Sequence, residues 1–310
     1  MPCLTETAPL VGAAVIKVKP AHAKITGRSI RLRSKLLLMR TILITHSATT
    51  TAKTTAAFLI PILLAAAFSL SLHAAGQPSV LVYTHNGLAL DGKKGYVHDN
   101  ITDCVKAIEK IGAENKFKVV HSDNPAVFTN SNLKSYRAII FANSNNKAFE
   151  NEQERKAFQD YIQHGGGFVG IHSATGSERD WPWFWKLIGG SFGWHAPLQK
   201  FTIQIKDRQH PATSFFKQDS WPWEDEFYVM KEQPSDLHVL LAGNIKPLTG
   251  VGKKADNLPD SIPLAWYHEF EGARSFYTAL GHKKEYYSDP NFVKHLTGGI
   301  LWAMHADRPE

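Results

Sequence analysis

A chain of 310 residues that is 43% hydrophobic can bury one large core or two smaller ones, and needs neither metal nor disulfide to hold it. The formal charge of +7 is unevenly spread: nine of the 35 Lys+Arg and one of the 28 Asp+Glu precede residue 76, leaving 26 bases against 27 acids in the body. A nucleic-acid partner would want a basic face, and a near-neutral body gives no support for one, so no such partner is expected.

The first stretch explains the asymmetry. Residues 56–70 (AAFLIPILLAAAFSL) are apolar throughout, too short for a membrane span and the right length for a signal-peptide core. Arg40 and Lys53 supply positive charge before it, and Ala74 and Ala75 offer a cleavage point. Met39 reads as the natural start, which makes residues 1–38 a disordered leader or a start-site overextension and residues 39–75 a signal peptide. A retained anchor is the alternative, opposed by Pro61 and the short apolar run. The expectation is an exported domain over residues 76–310, periplasmic or extracellular, with no membrane span in the mature chain. Cys3 lies in the leader, so Cys104 remains alone and no internal disulfide is expected.

Residues 79–84 (SVLVYT) read as a buried first strand. A loop with three glycines follows, and His98-Asp99-Asn100 opens a helix with Ile101, Val105, Ile108 and Ile111 on one face and Gly112 at its end. Residues 117–121 are a second strand, 123–135 a linker with turn chemistry at Asn124-Pro125, and 138–141 a third strand. Residues 150–163 form a helix with acids in its first turn. Gly165 to Gly167 then turn the chain into a fourth strand, Phe168 to Ile171, which delivers His172, Ser173 and a Thr175-Gly176 turn to its carboxyl end. This β-α-β-β-α-β alternation with short connections predicts a parallel sheet covered by helices. Downstream the pattern changes to strands over 201–205, 226–230, 238–241, 262–267 and 274–280, closed by a helix over 290–304. The predicted architecture is one α/β domain with a β-rich extension.

Ligands in open α/β sheets bind at the carboxyl ends of strands, so polar residues placed there are the candidates for chemistry. His172 follows the fourth strand. His98 opens a helix, His195 lies in Gly193-Trp194-His195-Ala196-Pro197, and His268 and His282 follow late strands. The matching acids are Glu224, Asp225 and Glu226, and strand alternation puts Asp225 on the face opposite its neighbours. A carboxylate beside an imidazole can orient the ring, exchange a proton or complete a metal site. No H-x-x-x-H or H-E-x-x-H spacing specifies a metal, so a divalent metal is an option and no cofactor is assigned. Ser173, Trp181, Trp183 and Trp194 are candidate substrate contacts, tryptophan faces being good sugar platforms as well as good core fillers. There is no G-x-S-x-G motif, since histidine stands at the elbow of Gly170-Ile171-His172-Ser173-Ala174, no phosphate-loop lysine and no elbow cysteine.

The segments GGGFVGIHSAT, DWPWFWKLIGGSF, WHAPLQ, DRQHPAT, DEFY, PLAWYHEFEGARSFYTALGH and GGILWA occur in that order over about residues 79–306. Together they resemble the ThuA-like (trehalose-utilisation) family. The resemblance implies a class I glutamine amidotransferase-like fold, a flavodoxin-like three-layer sandwich, and a link to the use of trehalose and related disaccharides. It carries over His98, His172, His195, Asp225, Glu226 and His282 as the recurrent polar positions. The amidotransferase cysteine would fall at or next to His172, so glutaminase activity is not expected. Two functions follow as expectations: an exported hydrolase or lyase acting on a disaccharide or keto-sugar through a His/carboxylate site, or a non-catalytic carbohydrate-binding module. A role as partner of a sugar oxidoreductase is a third.

Overall fold

Short runs buried on both faces become the centre of a sheet, because each can bury alternate side chains against helices above and below it. β1 (Ser79–Tyr83), β3 (Ala138–Ala142) and β4 (Gly167–Ile171) do so in the computed structural model, which describes residues 77–306, and β2 (Lys118–Ser122), with no buried residue, forms the sheet edge beside β1. The leader and signal peptide expected over residues 1–38 and 39–75 lie outside the described residues. These four strands pair in parallel, each polar tail emerging at the same edge.

The remaining strands are β5 (Ser191–Ile205), β6 (Ser220–Glu232), β7 (His238–Gly243), β8 (Ile262–Phe270) and β9 (Ala273–Thr278). All nine form one sheet of order β2-β1-β3-β4-β9-β8-β7-β5-β6. β9 pairs parallel with β4, so the last strand completes the parallel core although sequence order groups it with the extension. β5 to β8 continue the sheet through antiparallel pairs. The order 2-1-3-4 followed by one further parallel strand is the flavodoxin-like winding, with its ligand crevice at the carboxyl edge.

Successive residues of β1 separate the two cores. Val80 and Val82 pack with Cys104 and Ile108 of α1 (Ile101–Asn115) and with Leu296 and Ile300 of α5 (Pro290–Ala303). Leu81 and Tyr83 pack on the other face with Phe158 and Ile162 of α3 (Glu152–Gln163) and Phe184 and Leu187 of α4 (Pro182–Ile188). That makes the three-layer sandwich. The second core is rich in edge-to-face rings: Phe128 and Phe149 meet at 4.8 Å and 86°, a contact worth about 0.5–1.5 kcal/mol beyond its buried area.

Three local expectations change. The linker holds a short helix, α2 (Asn130–Leu133), capped by the Thr129 side chain. Helix α1 runs past Gly112 to Asn115 and ends on Lys116 in the left-handed region. Gly112 is needed for close approach instead, since a Cβ there would stand 2.7 Å from Val119 Cγ2 and 2.9 Å from the Phe117 carbonyl. β5 and β6 are far longer than the alternation suggested, because irregularities at Phe192/Trp194 and Ala196/Gln199 break the two-residue period that marks a strand. His195 therefore sits in a strand, as does His268 in β8.

Candidate functional site

Four elements bring polar groups to the carboxyl edge. β4 ends on His172, which opens a 3-10 turn (His172–Gly176) with φ of 49°, a left-handed conformation that a non-glycine residue adopts at a cost of about 1–3 kcal/mol. Two bonds hold it there. Its ring Nδ1 donates to the Ala279 carbonyl at 2.7 Å, and the Tyr277 hydroxyl donates to its own carbonyl at 2.7 Å. A carbonyl only accepts, so Nδ1 carries the proton. Burial and the neighbouring His98 keep the ring neutral, its pKa well below the usual histidine range. Nε2 is therefore a buried lone pair aimed at the other polar groups of the cluster.

Around that lone pair stand the Tyr228 hydroxyl at 3.0 Å, His98 Nε2 at 3.1 Å and Glu226 Oε2 at 3.7 Å. His282 Nδ1 approaches the same carboxylate oxygen at 3.3 Å, and His195 Nδ1 lies 3.6 Å from Glu226 Oε1. The pleat of β6 places Glu226 and Tyr228 on this face and Asp225 on the other, as the alternation required. Burial, then the nearby His282, pushes His98 down to about 4. Burial works to raise Glu226, but the contact and charge of His282, then His195 and His98, hold it below the ordinary range. His282 is raised in turn by Glu226.

Asp225 does not join the imidazoles. Its wholly buried carboxylate accepts from Trp223 Nε1 (3.0 Å), the Gly281 amide (2.9 Å) and the Glu226 amide (2.9 Å), and burial raises it to about 6 despite those donors. It anchors the loop that carries His282. Asn100 does the same from the other side, its Nδ2 donating to the carbonyls of Gly281 (2.6 Å) and His282 (2.7 Å). At the first turn of α1 this side chain makes no capping bond, so local helix chemistry has given way to the site.

One ligand atom each from His98, His172, Glu226 and His282 lies within 4.8 Å of the others. Ligands around one tetrahedral cation at about 2.0–2.1 Å stand roughly 3.4 Å apart, and the His98–His172, His282–Glu226 and His172–Glu226 pairs, at 3.1, 3.3 and 3.7 Å, are close to that spacing. His98 Nδ1 and His282 Nδ1 are buried without an aligned hydrogen-bond partner. Three imidazoles, one carboxylate, a fixed tautomer and orphaned nitrogens fit a divalent transition metal.

His98, Glu226 and His282 line a cavity of about 290 Å³, with His172 fully buried outside its lining; the wall also includes Ser173, Arg179, His195 and the rings of Tyr96, Phe192 and Tyr228. The tryptophans expected as sugar platforms are elsewhere. Trp181 and Trp183 stack at 5.0 Å against the second core, and Trp194 lies under the Lys254 ammonium; none lines this cavity. His268 bonds the Leu187 carbonyl, away from the cluster. Sequence reasoning missed Tyr228, Asn100 and Arg179. Tyr228 was within reach, since it stands two residues beyond Glu226 on one strand face; the other two carried no pattern.

The fold and site together define a flavodoxin-like α/β sandwich with an antiparallel extension and a histidine directly after β4, at the carboxyl edge of the parallel core. The profile of the ThuA family, described as trehalose utilisation, matches residues 81–303, and the chain belongs to that family. It is similar to a ThuA-like protein of Bacteroides uniformis (22% identity, TM-score 0.58, over 75% of this chain and 94% of that one). A ThuA-like protein of Parabacteroides merdae is also similar (18% identity, TM-score 0.56, 74% and 90%). At that identity both show the shared fold. No curated protein matches the chain significantly.

Proposed function

We propose that this protein is an exported enzyme of carbohydrate metabolism, a hydrolase or lyase acting on a disaccharide such as trehalose or on a keto-sugar, with a divalent metal held by His98, His172, Glu226 and His282. The carrying observation is the convergence of those four side chains, far apart in sequence, within 4.8 Å at the carboxyl edge of the sheet. Such a metal, when bound, polarises a carbonyl or activates a water. The protein's own groups supply the rest. His172 presents Nε2 because Ala279 fixes its tautomer. The Tyr228 phenol, raised well above its usual range chiefly by burial, stays protonated; it donates to His172 Nε2 at 3.0 Å and would be free to donate to a substrate oxygen once that lone pair is taken up by a cation. His195, exposed at the wall and outside the four-residue cluster, is placed to move a proton between substrate and Glu226. Asp225 acts as a positioning residue through the His282 loop. Thiol chemistry finds no support: Cys104 is buried and pushed up to about 12.

Export is proposed from the apolar run at residues 56–70; among the described residues no helix is long and apolar enough to cross a membrane. The test is metal analysis of the purified chain with a product screen on trehalose, sucrose and their 3-keto forms. About one equivalent of metal, lost in the double variant Glu226→Ala/His282→Ala together with turnover, is expected. Protein that takes up no metal when supplied with an excess of it, or turnover that survives the double substitution, refutes the reading. Arguing against a binding module is the absence of tryptophan from the cavity wall.

A further inference from the structure

The cavity wall has one acid, Glu226, already engaged by imidazoles, and one permanent cation, Arg179. Arg179 lies in the run Glu178-Arg179-Asp180, where counter-charges are close at hand in sequence. Both acids face the other way. Glu178 Oε2 pairs with Arg155 Nη2 at 2.6 Å, and Asp180 Oδ1 approaches the same nitrogen at 3.5 Å. Arg179 has only neutral partners: Nε donates to the Gly176 carbonyl at 2.9 Å, Nη2 donates to Asn145 Oδ1 at 3.2 Å, and the guanidinium lies 5.4 Å from the Phe192 ring centroid. Among the described residues no carboxylate is within ion-pair distance of it.

Those two bonds use two of the five guanidinium N–H groups and fix the plane of the fork, leaving the others without a protein acceptor. A half-buried guanidinium that lacks a counter-ion is unfavourable, and a planar oxyanion delivered to it recovers the lost solvation with bidentate geometry. The charge balance points the same way. Glu226 and Arg179 cancel, so the cavity carries no surplus negative charge to repel a carboxylate, with or without a cation on the histidines. A cavity of about 290 Å³ is at the small end for ligand sites and seats one sugar ring, so the second ring of a disaccharide would stand outside it.

We infer that Arg179 is a specificity-determining residue that reads a carboxylate, so that the ligand of this cavity is a monosaccharide acid, a uronate or aldonate unit, in preference to a neutral sugar. This rests on the proposed carbohydrate site but not on its metal. The reaction class that supplies such a ligand is oxidation of a sugar to its acid, or release of an acidic unit from a larger glycoside.

The test is calorimetric titration of the full chain with D-glucuronate and with methyl glucoside, metal content being measured on the same samples. Wild type is expected to bind glucuronate at least about tenfold tighter, the effect of one charge-assisted pair. Arg179→Gln should bring the two sugars within about threefold while metal content stays the same, and Arg179→Lys should retain part of the preference and serve as the fold control. Equal affinity in wild type, no binding of either sugar, or a preference that survives Arg179→Gln overturns the inference. An Arg179-dependent preference in protein that holds no metal sinks the metal proposal and leaves this one standing.

Discussion

Truncating Asn100 to alanine separates the positioning of His282 from everything else in the site. Its side chain is completely buried and donates from Nδ2 to two carbonyls, Gly281 at 2.6 Å and His282 at 2.7 Å. The Gly281 carbonyl keeps a second donor, the Tyr287 hydroxyl at 2.9 Å, so its loss is one ordinary bond of about 1 kcal/mol. No second donor reaches the His282 carbonyl from the described side chains, and stranding it costs about 1–3 kcal/mol. Helix α1 loses nothing, because Asn100 makes no capping bond. The sum is a destabilisation of about 2–4 kcal/mol, read by urea denaturation of the metal-free chain. The freed loop should also weaken metal binding by about 10–100-fold, the usual effect of removing an outer-shell support, read by competition with a chelator. A stability loss under about 0.5 kcal/mol refutes the bond accounting. Normal metal affinity in a clearly destabilised variant refutes the claim that these bonds aim His282.

Other outcomes follow from the same geometry. Gly281→Ala places a Cβ 2.8 Å from the Tyr287 hydroxyl oxygen at φ of 122°, and thermal melts should show a loss of at least about 1–3 kcal/mol. Burial holds His295 down to about 4, against about 6.5 in the unfolded chain. Its neutral ring therefore stabilises the fold fully above pH 6.5, and that contribution, up to about 3 kcal/mol, disappears as pH falls from 6.5 toward 4. Denaturation curves of His295→Gln between pH 7 and 4.5 should show a correspondingly flatter pH dependence than wild type. Tyr228→Phe should weaken sugar binding or turnover, whereas Trp181→Ala and Trp194→Ala should leave sugar affinity within about twofold, as expected of side chains outside the cavity. A larger effect of the tryptophans in calorimetry would return the platform role to them.

Much of this was legible because buried parallel strands are short, apolar and bounded by turn residues. β1, β3 and β4 are of that kind, and the residue after such a strand must emerge at the ligand edge. His172 was found for that reason. β9 has the same character, but nothing local says that it lies beside β4, since strand order is decided by which faces remain to be covered. β5 was hidden by its irregularities near Trp194 and Pro197, which remove the alternation on which strand recognition depends.

The acids show the sharper limit. Alternation states that Asp225 and Glu226 face opposite ways, yet the two registers are mirror alternatives until the partner strands are known. One register gives a carboxylate among imidazoles; the other gives a buried anchor for the loop behind them. The sheet chooses Glu226 for the first role and Asp225 for the second, and both are needed, because Asp225 holds Gly281 and Gly281 carries His282. The tryptophans are ambiguous in sequence for a related reason: packing a large ring on a core and offering it to a sugar demand the same side chain, and the contacts of Trp181 and Trp183 with Phe158, Phe184 and Phe270 place those two rings against the second core, outside the cavity. The strained backbone of His172 belongs to this set. Its left-handed φ is kept by the Ala279 and Tyr277 bonds, and what those bonds secure is the direction of Nε2.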